Sequence, residues 1–466
     1  MTGTGNKEME LLARRLVEMA LAGGADEAEA YISSKRGVTA ESKDGAPESV
    51  KTSRDVGCAL RVIKGKKDKK GKKLGFSYSS GMEDAGSVVR ASLEAANYTE
   101  EDPFLSLPEK GINENLPSAA STEIFDQATA GMTTEEAFRL ASVVEKGARE
   151  ADKRIKLVRS ATASFSSNEV LIVNSNGFSG SYSSTSATAQ VMAVAEGEGG
   201  ETQMGWDFMG SAFMEDVNFA QVGRGAAEKA LELLGAKNIS PMKAPLIVAN
   251  SVAAEFLGIF ASMLSAESVQ KGKSLLAGKL GQQVISGSLS IFDDGLLARG
   301  LGSAPFDDEG VPTSKKSLIE TGVLKGFMHN TYTAKKAGDG AVSTGNAVKA
   351  SLSSFPSVGA LNFYLREAGG IKPVKLEELF AIAGKGLYIT EAMGMHMVNP
   401  VSGEFSIGIS GLLIEGGRPT HAVKEAVISG NLLDLFKNVE AVGDDLRFYG
   451  GTGSPSILIG PTDISA

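Results

Sequence analysis

The chain has 466 residues, of which 42% are hydrophobic and 22% charged, with a formal net charge of −9. That length exceeds what one hydrophobic core supports, so two or three domains are expected, and the composition excludes global disorder. The negative balance argues against broad nucleic-acid affinity, which rests on Lys and Arg neutralising phosphates, and no apolar run is long enough to cross a membrane as a helix.

The opening Met1–Glu8 is polar and leads straight into a charged amphipathic helix. It lacks the apolar stretch and small-residue cleavage site of a signal peptide, so a cytoplasmic location is expected. The helix runs from about Asn6 to Ala22, with Met9, Leu12, Leu16 and Met19 recurring at spacings of three and four, and Gly23-Gly24 ends it. Strand-like segments follow at Ala28–Ser33, Val38–Ser42, Val56–Ile63 and Leu74–Ser79, then a second helix over Glu83–Asn97. The single cysteine, Cys58, excludes an internal disulfide framework, and its neighbours Val56, Ala59, Leu60 and Val62 predict a buried thiol on a strand. Residues Lys64 to Lys73 hold seven lysines in ten positions. They read either as an anionic-surface or nucleic-acid patch or as the solvated tip of a long hairpin.

A Pro-containing acidic connector (about Tyr98–Gly131) precedes a capping-box pattern, Thr133 with Glu136, and a helix over roughly Thr134–Asp152. Strands are expected at Lys156–Phe165, Val170–Val173, Ser179–Ala195 and Gln203–Phe208. Asn176-Gly177 marks a hairpin, and a helix near Asp216–Leu234 closes the segment. Helix, strands, helix occurs twice, predicting an internal duplication of 6–97 and 133–234 within an N-terminal α/β domain, 1–240. From about Pro241 the pattern changes: a buried strand at Leu246–Ala249, an apolar helix at Val252–Leu264, then short strands and Gly-rich turns, with one further helical piece at Leu376–Ala383. The expected fold class is α+β, with a β-rich, barrel-like or folded-sheet domain over 241–466.

Chemistry is sparse. The histidines, His329, His396 and His421, are too far apart in sequence to pair as metal ligands on one helix. His396, in Gly394-Met395-His396-Met397, opens a dense polar segment and is the strongest of the three for a functional role. No nucleophile elbow and no phosphate-binding loop is present. Acidic clusters at Asp293-Asp294-Gly295 and Asp307-Asp308-Glu309-Gly310 suit either hard-cation binding or turn formation.

Several segments in order carry a resemblance: Asn174-Ser175-Asn176-Gly177, Phe306-Asp307-Asp308-Glu309-Gly310, Ile319-Glu320-Thr321-Gly322-Val323-Leu324 and Ser343-Thr344-Gly345-Asn346-Ala347. Asn399-Pro400-Val401-Ser402-Gly403-Glu404-Phe405-Ser406, Ile414-Glu415-Gly416-Gly417 and Ile428-Ser429-Gly430-Asn431-Leu432 complete the set. Together they resemble the TldD/PmbA family, also called the modulator of DNA gyrase family. The resemblance implies an α/β N-terminal region and a β-rich C-terminal domain. TldD-type members are similar to zinc metallopeptidases, with a His-Glu-x-x-x-His helix after the first strand of the second domain and a late cysteine ligand. At those places this chain reads Asn250-Ser251-Val252-Ala253-Ala254-Glu255 and Phe448-Tyr449-Gly450-Gly451-Thr452-Gly453. It therefore looks like the metal-free PmbA, or TldE, branch.

That branch implies no cofactor in this chain, zinc in a TldD-like partner subunit, a dimer, and an unfolded or precursor peptide as substrate. A peptide is expected to add as a strand to an open sheet edge, with contacts near Asp307, Asp308, Glu309, His396, Asn399, Ser402 and Phe405. Two other readings are a gyrase-modulating binding protein that uses the lysine cluster, and a self-sufficient hydrolase using His396 with Asp307–Glu309.

Overall fold

A computed structural model describes residues 3–65, 71–82, 84–111, 116–117 and 122–465. Lys66, Lys67, Lys69 and Lys70 of the lysine cluster lie outside the described residues. The chain is α+β.

The N-terminal half begins with α1 (Gly3–Ala22), β1 (Glu27–Lys43), β2 (Ala46–Lys64), β3 (Lys73–Ser79) and α2 (Ala85–Tyr98). A short α3 (Gln127–Ala130) and α4 (Thr134–Arg149) follow, then β4 (Ile155–Val158), β5 (Ala161–Asn174), β6 (Ser179–Glu196), β7 (Thr202–Ser211) and α5 (Phe219–Glu232). Helix–strands–helix thus occurs twice, and both sets of strands join one antiparallel sheet in the order β3-β2-β1-β5-β6-β4, with β7 also on β6. The segments expected at 28–33 and 38–42 are one long strand. It turns at Asp44-Gly45, where φ is +54° and +75°, the two-residue hairpin geometry that favours this dipeptide.

Alternation decides which face each strand residue joins. Ala28, Ala30 and Ile32 of β1 pack with Leu16 and Ala20 of α1 and Val88, Val89 and Ala96 of α2. Val38 and Ala40, further along the same strand, pack with Ala141 and Val144 of α4 and Ala226 and Ala230 of α5. The sheet therefore carries one helix pair at each end of one face. α4 begins with the capping box: Thr133 Oγ1 accepts from Glu136 N, and the Glu136 carboxylate receives Thr133 N. α4 and α5 approach closely because Gly147 and Gly223 face the partner backbone. A Cβ on them would lie 2.4 Å from Ala220 O and 2.2 Å from Val144 O.

The C-terminal half runs β8 (Met242–Val248), α6 (Asn250–Met263), α7 (Ala266–Gln270), β9 (Leu289–Asp294), β10 (Lys315–Glu320), β11 (Val323–Leu324), α8 (Thr331–Ala337), β12 (Ala347–Val348), β13 (Ser357–Val358) and β14 (Phe363–Glu367). It continues with α9 (Leu376–Ala383), β15 (Gly386–Met393), β16 (Glu404–Glu415), β17 (Arg418–Asn431), α10 (Leu432–Lys437), β18 (Val439–Val442), β19 (Arg447–Tyr449), β20 (Thr452–Ser454) and β21 (Ile457–Ser465). One sheet orders as β17-β16-β15-β8-β21-β18, and a further β17–β21 pairing closes it into a ring. A second orders as β11-β10-β9-β14-β20-β19. α6 is apolar on most sides and fills the core of this half: Phe256 meets Phe405 and Phe436, and Phe260 meets Phe436.

The short helices α7, α8 and α10 carry too few residues for a periodic signal and were not expected from the sequence. Asp293 lies in β9 rather than in a turn. Being buried, it ion-pairs with Lys316 at 3.1 Å and receives Leu361 N at 2.7 Å and Asn346 Nδ2 at 2.8 Å. Cys58 is a buried free thiol. Among the described residues no helix is long and apolar enough to cross a membrane.

Candidate functional site

β8 pairs in parallel with β15 at Leu246–Leu387, Ile247–Tyr388 and Val248–Ile389. Ala249 N makes one more bond to Ile389 O, 2.9 Å, and the chain then turns into α6. Beyond that point β15 pairs on one side only: Glu391, Ala392 and Met393 face Ser410, Ile409 and Gly408 of β16. The register shifts between Ile389 and Glu391, and the buried Thr390 hydroxyl has no hydrogen-bond partner among the described residues.

This one-sided stretch forms a wall of a cavity of about 450 Å³. Ser251, Ala254 and Glu255 of α6 line it, with Tyr449 and Thr452 from the β19–β20 turn and Trp206 and Lys229 from the N-terminal half. The start of α6 and the late β19 segment are tied directly. Tyr449 Oη donates to Asn250 Oδ1 at 2.8 Å, and Asn250 Nδ2 donates to Asp445 Oδ2 at 3.1 Å. Asp445 also receives the backbone N–H and hydroxyl of Ser456, each at 2.7 Å.

The opposite wall is fixed by Asp207, a buried carboxylate on β7. It receives Lys229 Nζ of its own half at 2.8 Å and Arg447 Nη2 of the C-terminal half at 2.9 Å, so the Arg447 pair ties the two halves together. Trp206 stacks on Phe208 at 6.1 Å, stands 6.1 Å from the Tyr449 ring, and keeps 40% of its surface exposed. Burial pushes the Tyr449 phenol up to about 12. Partial burial raises the Glu255 carboxyl, and burial raises that of Glu391 against an opposing pull from Lys229.

The residues singled out from the sequence fall elsewhere. Asp307, Asp308 and Glu309 sit at the junction between the N-terminal sheet and the C-terminal half. Asp307 Oδ1 receives Glu309 N and Val311 N, each at 2.9 Å, and its other oxygen receives Ala347 N at 2.9 Å. Asp308 accepts from Tyr31 Oη at 3.1 Å and Lys349 N at 2.7 Å. Glu309 holds Arg61 at 2.8 Å, and Arg61 holds Glu29 at 2.9 Å. Burial raises Glu29, Asp307 and Asp308, with Glu309 adding to the shift at Asp307, while burial pushes Lys349 down to about 8. Lys349 and Tyr31 also line a hydroxyl-rich cavity of about 720 Å³ with Ser33, Ser166, Ser184 and Ser186.

His396 is exposed on a single helical turn, Met395–Met397, and no hydrogen bond or ion pair joins it to the Asp307–Glu309 turn. Asn399 Oδ1 receives Val401 N and Ser402 N, and Ser402 Oγ receives Glu404 N. Phe405 is 6% exposed and belongs to the core. The structure therefore gathers the acidic triplet at the junction and separates it from the 396–405 segment. Trp206, Lys229, Glu255, Glu391 and Tyr449 were not singled out from the sequence. Two carried a signal: Trp206 is the only tryptophan, and Glu255 is the only charged residue on α6.

A helix-covered antiparallel sheet joined to a closed, β-rich half with a buried helix beneath a cleft defines a two-part α+β protein. Models of the PmbA/TldA metallopeptidase domains match in sequence order: domain 1 at residues 28–96, the central domain at 129–234 and the C-terminal domain at 241–466. The chain belongs to the PmbA/TldD metallopeptidase family. It is 32% identical to a metalloprotease PmbA homolog of Buchnera aphidicola subsp. Baizongia pistaciae over 71% of this chain and 70% of that one. It superposes on a Thermotoga maritima protein described as a candidate modulator of a DNA gyrase, with TM-score 0.87 and 29% identity, over 98% of this chain and all of the other. TldE from Thermococcus kodakarensis shares the fold, with TM-score 0.82 and 22% identity over 98% and 100% of the two chains.

Proposed function

We propose that this chain is a PmbA/TldE-like subunit that holds an unfolded or precursor peptide for a TldD-like zinc peptidase in the cytoplasm. The observation that carries the reading is the one-sided stretch 390–393 of β15 along the cleft. A strand edge offers N–H and C=O groups in sequence-independent order, so an extended peptide gains main-chain hydrogen bonds by adding beside it. Trp206, Met393 and Tyr449 supply apolar contact area around that edge.

Zinc in a peptidase takes imidazole, thiolate and carboxylate ligands in a fixed, convergent set. The side chains at this cleft are carboxylates on separate elements, an amide, hydroxyls, a phenol and a lysine, and this donor set does not fit. The chain's own part is to bind, align and shield the peptide, and hydrolysis falls to the partner subunit.

The test is peptide cleavage by this chain alone, by a TldD-like subunit alone and by their mixture. Metal content per chain is measured by mass spectrometry on untagged protein. Cleavage only in the mixture, with this chain free of zinc, is expected. One zinc per chain, or full cleavage by this chain alone, refutes the reading. A peptide N-methylated at alternate amides loses strand pairing and is expected to escape cleavage. A role with gyrase, the activity named for the Thermotoga maritima relative, draws on the lysine cluster, whose central lysines lie outside the described residues.

A further inference from the structure

We propose that the cleft selects peptides bearing a basic side chain, which the added strand presents between Glu391 of β15 and Glu255 of α6. This deepens the peptide-holding reading above and rests on it. Glu391 sits on the unpaired edge itself, so a strand added there places its own side chains about 5 Å away, at cross-strand pairing distance. Glu255 enters the same cavity from the helix.

Among the described residues neither carboxylate has a hydrogen bond or an ion pair, whereas the other charges around the cleft are committed. Asp207 takes both Lys229 and Arg447, and Lys229 spends a second donor on Trp206 O at 3.1 Å. Asp445 is held by Asn250 and Ser456. Asp207, Asp445, Glu255 and Glu391 thus stand against Lys229 and Arg447, four anions against two cations. The two anions without partners face the site where the peptide adds. An incoming ammonium or guanidinium supplies the missing counter-charge, and its aliphatic stem has the Trp206 and Tyr449 rings to lie against. An acidic peptide residue at the same place meets repulsion, which sharpens the choice.

The experiment measures the affinity of the full-length chain by fluorescence anisotropy for two labelled, unstructured peptides. They are identical except for Lys or norleucine at one central position. The Lys peptide is expected to bind about five-fold more tightly at low ionic strength, with the ratio shrinking as salt is added. The ratio falls toward one in Glu391→Gln and falls in part in Glu255→Gln. Glu391→Lys reverses it, so that a Glu peptide binds better than the Lys peptide. Thermal melting of each variant checks that the fold persists. Equal affinity for the two peptides in the unaltered chain overturns selection while leaving peptide holding intact. A five-fold ratio that survives in Glu391→Gln and Glu391→Lys overturns the assignment to these carboxylates. Binding of neither peptide overturns both the selection and the function on which it rests.

Discussion

Arg61 offers the sharpest test of how the two halves are held together. Its side chain is 11% exposed and lies between Glu29, 4% exposed, and Glu309, 1% exposed, at 2.9 and 2.8 Å. Replacing it with Met keeps length and apolar bulk but leaves two buried carboxylates without their counter-charge. Breaking a buried pair by removing one partner costs about 3–5 kcal/mol, because the remaining charge stays desolvated. With two carboxylates orphaned, Arg61→Met belongs at the upper end, about 5 kcal/mol.

Equilibrium urea unfolding is the assay, run from about pH 7 to about pH 5. Glu29, Asp307 and Asp308 are raised in the folded state by burial, so the folded protein takes up their protons more readily than the unfolded chain. Their contribution to stability is fully present below the unfolded carboxylate range and is lost as pH rises through the raised folded values. Without Arg61 the raised range extends higher, so the variant recovers stability as pH falls and its carboxylates are neutralised. The triple change Glu29→Gln, Arg61→Met, Glu309→Gln is expected to recover most of the loss, since no charge is then buried alone. A deficit below about 1 kcal/mol, or one that stays constant over that pH range, would refute the argument.

Phe405→Ala removes a ring packed on Phe256 in the core and is expected to cost about 3–5 kcal/mol in urea unfolding. A cost under about 1 kcal/mol would return Phe405 to the list of peptide contacts. Thr133→Ala deletes one half of the α4 capping box and should cost about 1 kcal/mol, read from the same unfolding curve. Lys349, pushed down to about 8 by burial, loses its proton well below a surface lysine. Its acylation by a small reagent, followed by peptide mass spectrometry, should therefore reach half-maximum near that pH. A midpoint near that of surface lysines would contradict the burial. Tyr449→Phe removes the bond to Asn250 at the head of α6, with an expected loss of about 1 kcal/mol in the unfolding of the C-terminal half.

Local patterns determined much of this protein before any tertiary contact was known. The spacing of Met9, Leu12, Leu16 and Met19 made α1, the Thr133–Glu136 pair started α4, and Leu376–Ala383 became α9 with the boundaries expected. Each of these signals lies within a few residues of the chain, where periodicity and capping act. The duplicated helix–strands–helix pattern was also legible. Its merger into one sheet through the β1–β5 pairing was not, because pairing joins strands more than a hundred residues apart in sequence.

The cleft was decided entirely by tertiary structure. Asn250 and Tyr449 are far apart in sequence but share a hydrogen bond. The edge of β15 is open only because β8 ends at Val248 and turns into α6, while β16 continues on the other side. Asp307, Asp308 and Glu309 showed in sequence as an acidic turn, yet their function as a buried junction with Arg61, Glu29 and Tyr31 depends on partners from the opposite half. Sequence fixes which groups a segment can offer. The meeting of Trp206, Glu255, Glu391 and Tyr449 around one cavity is a long-range consequence of how the two halves pack, and no short-range pattern encodes it.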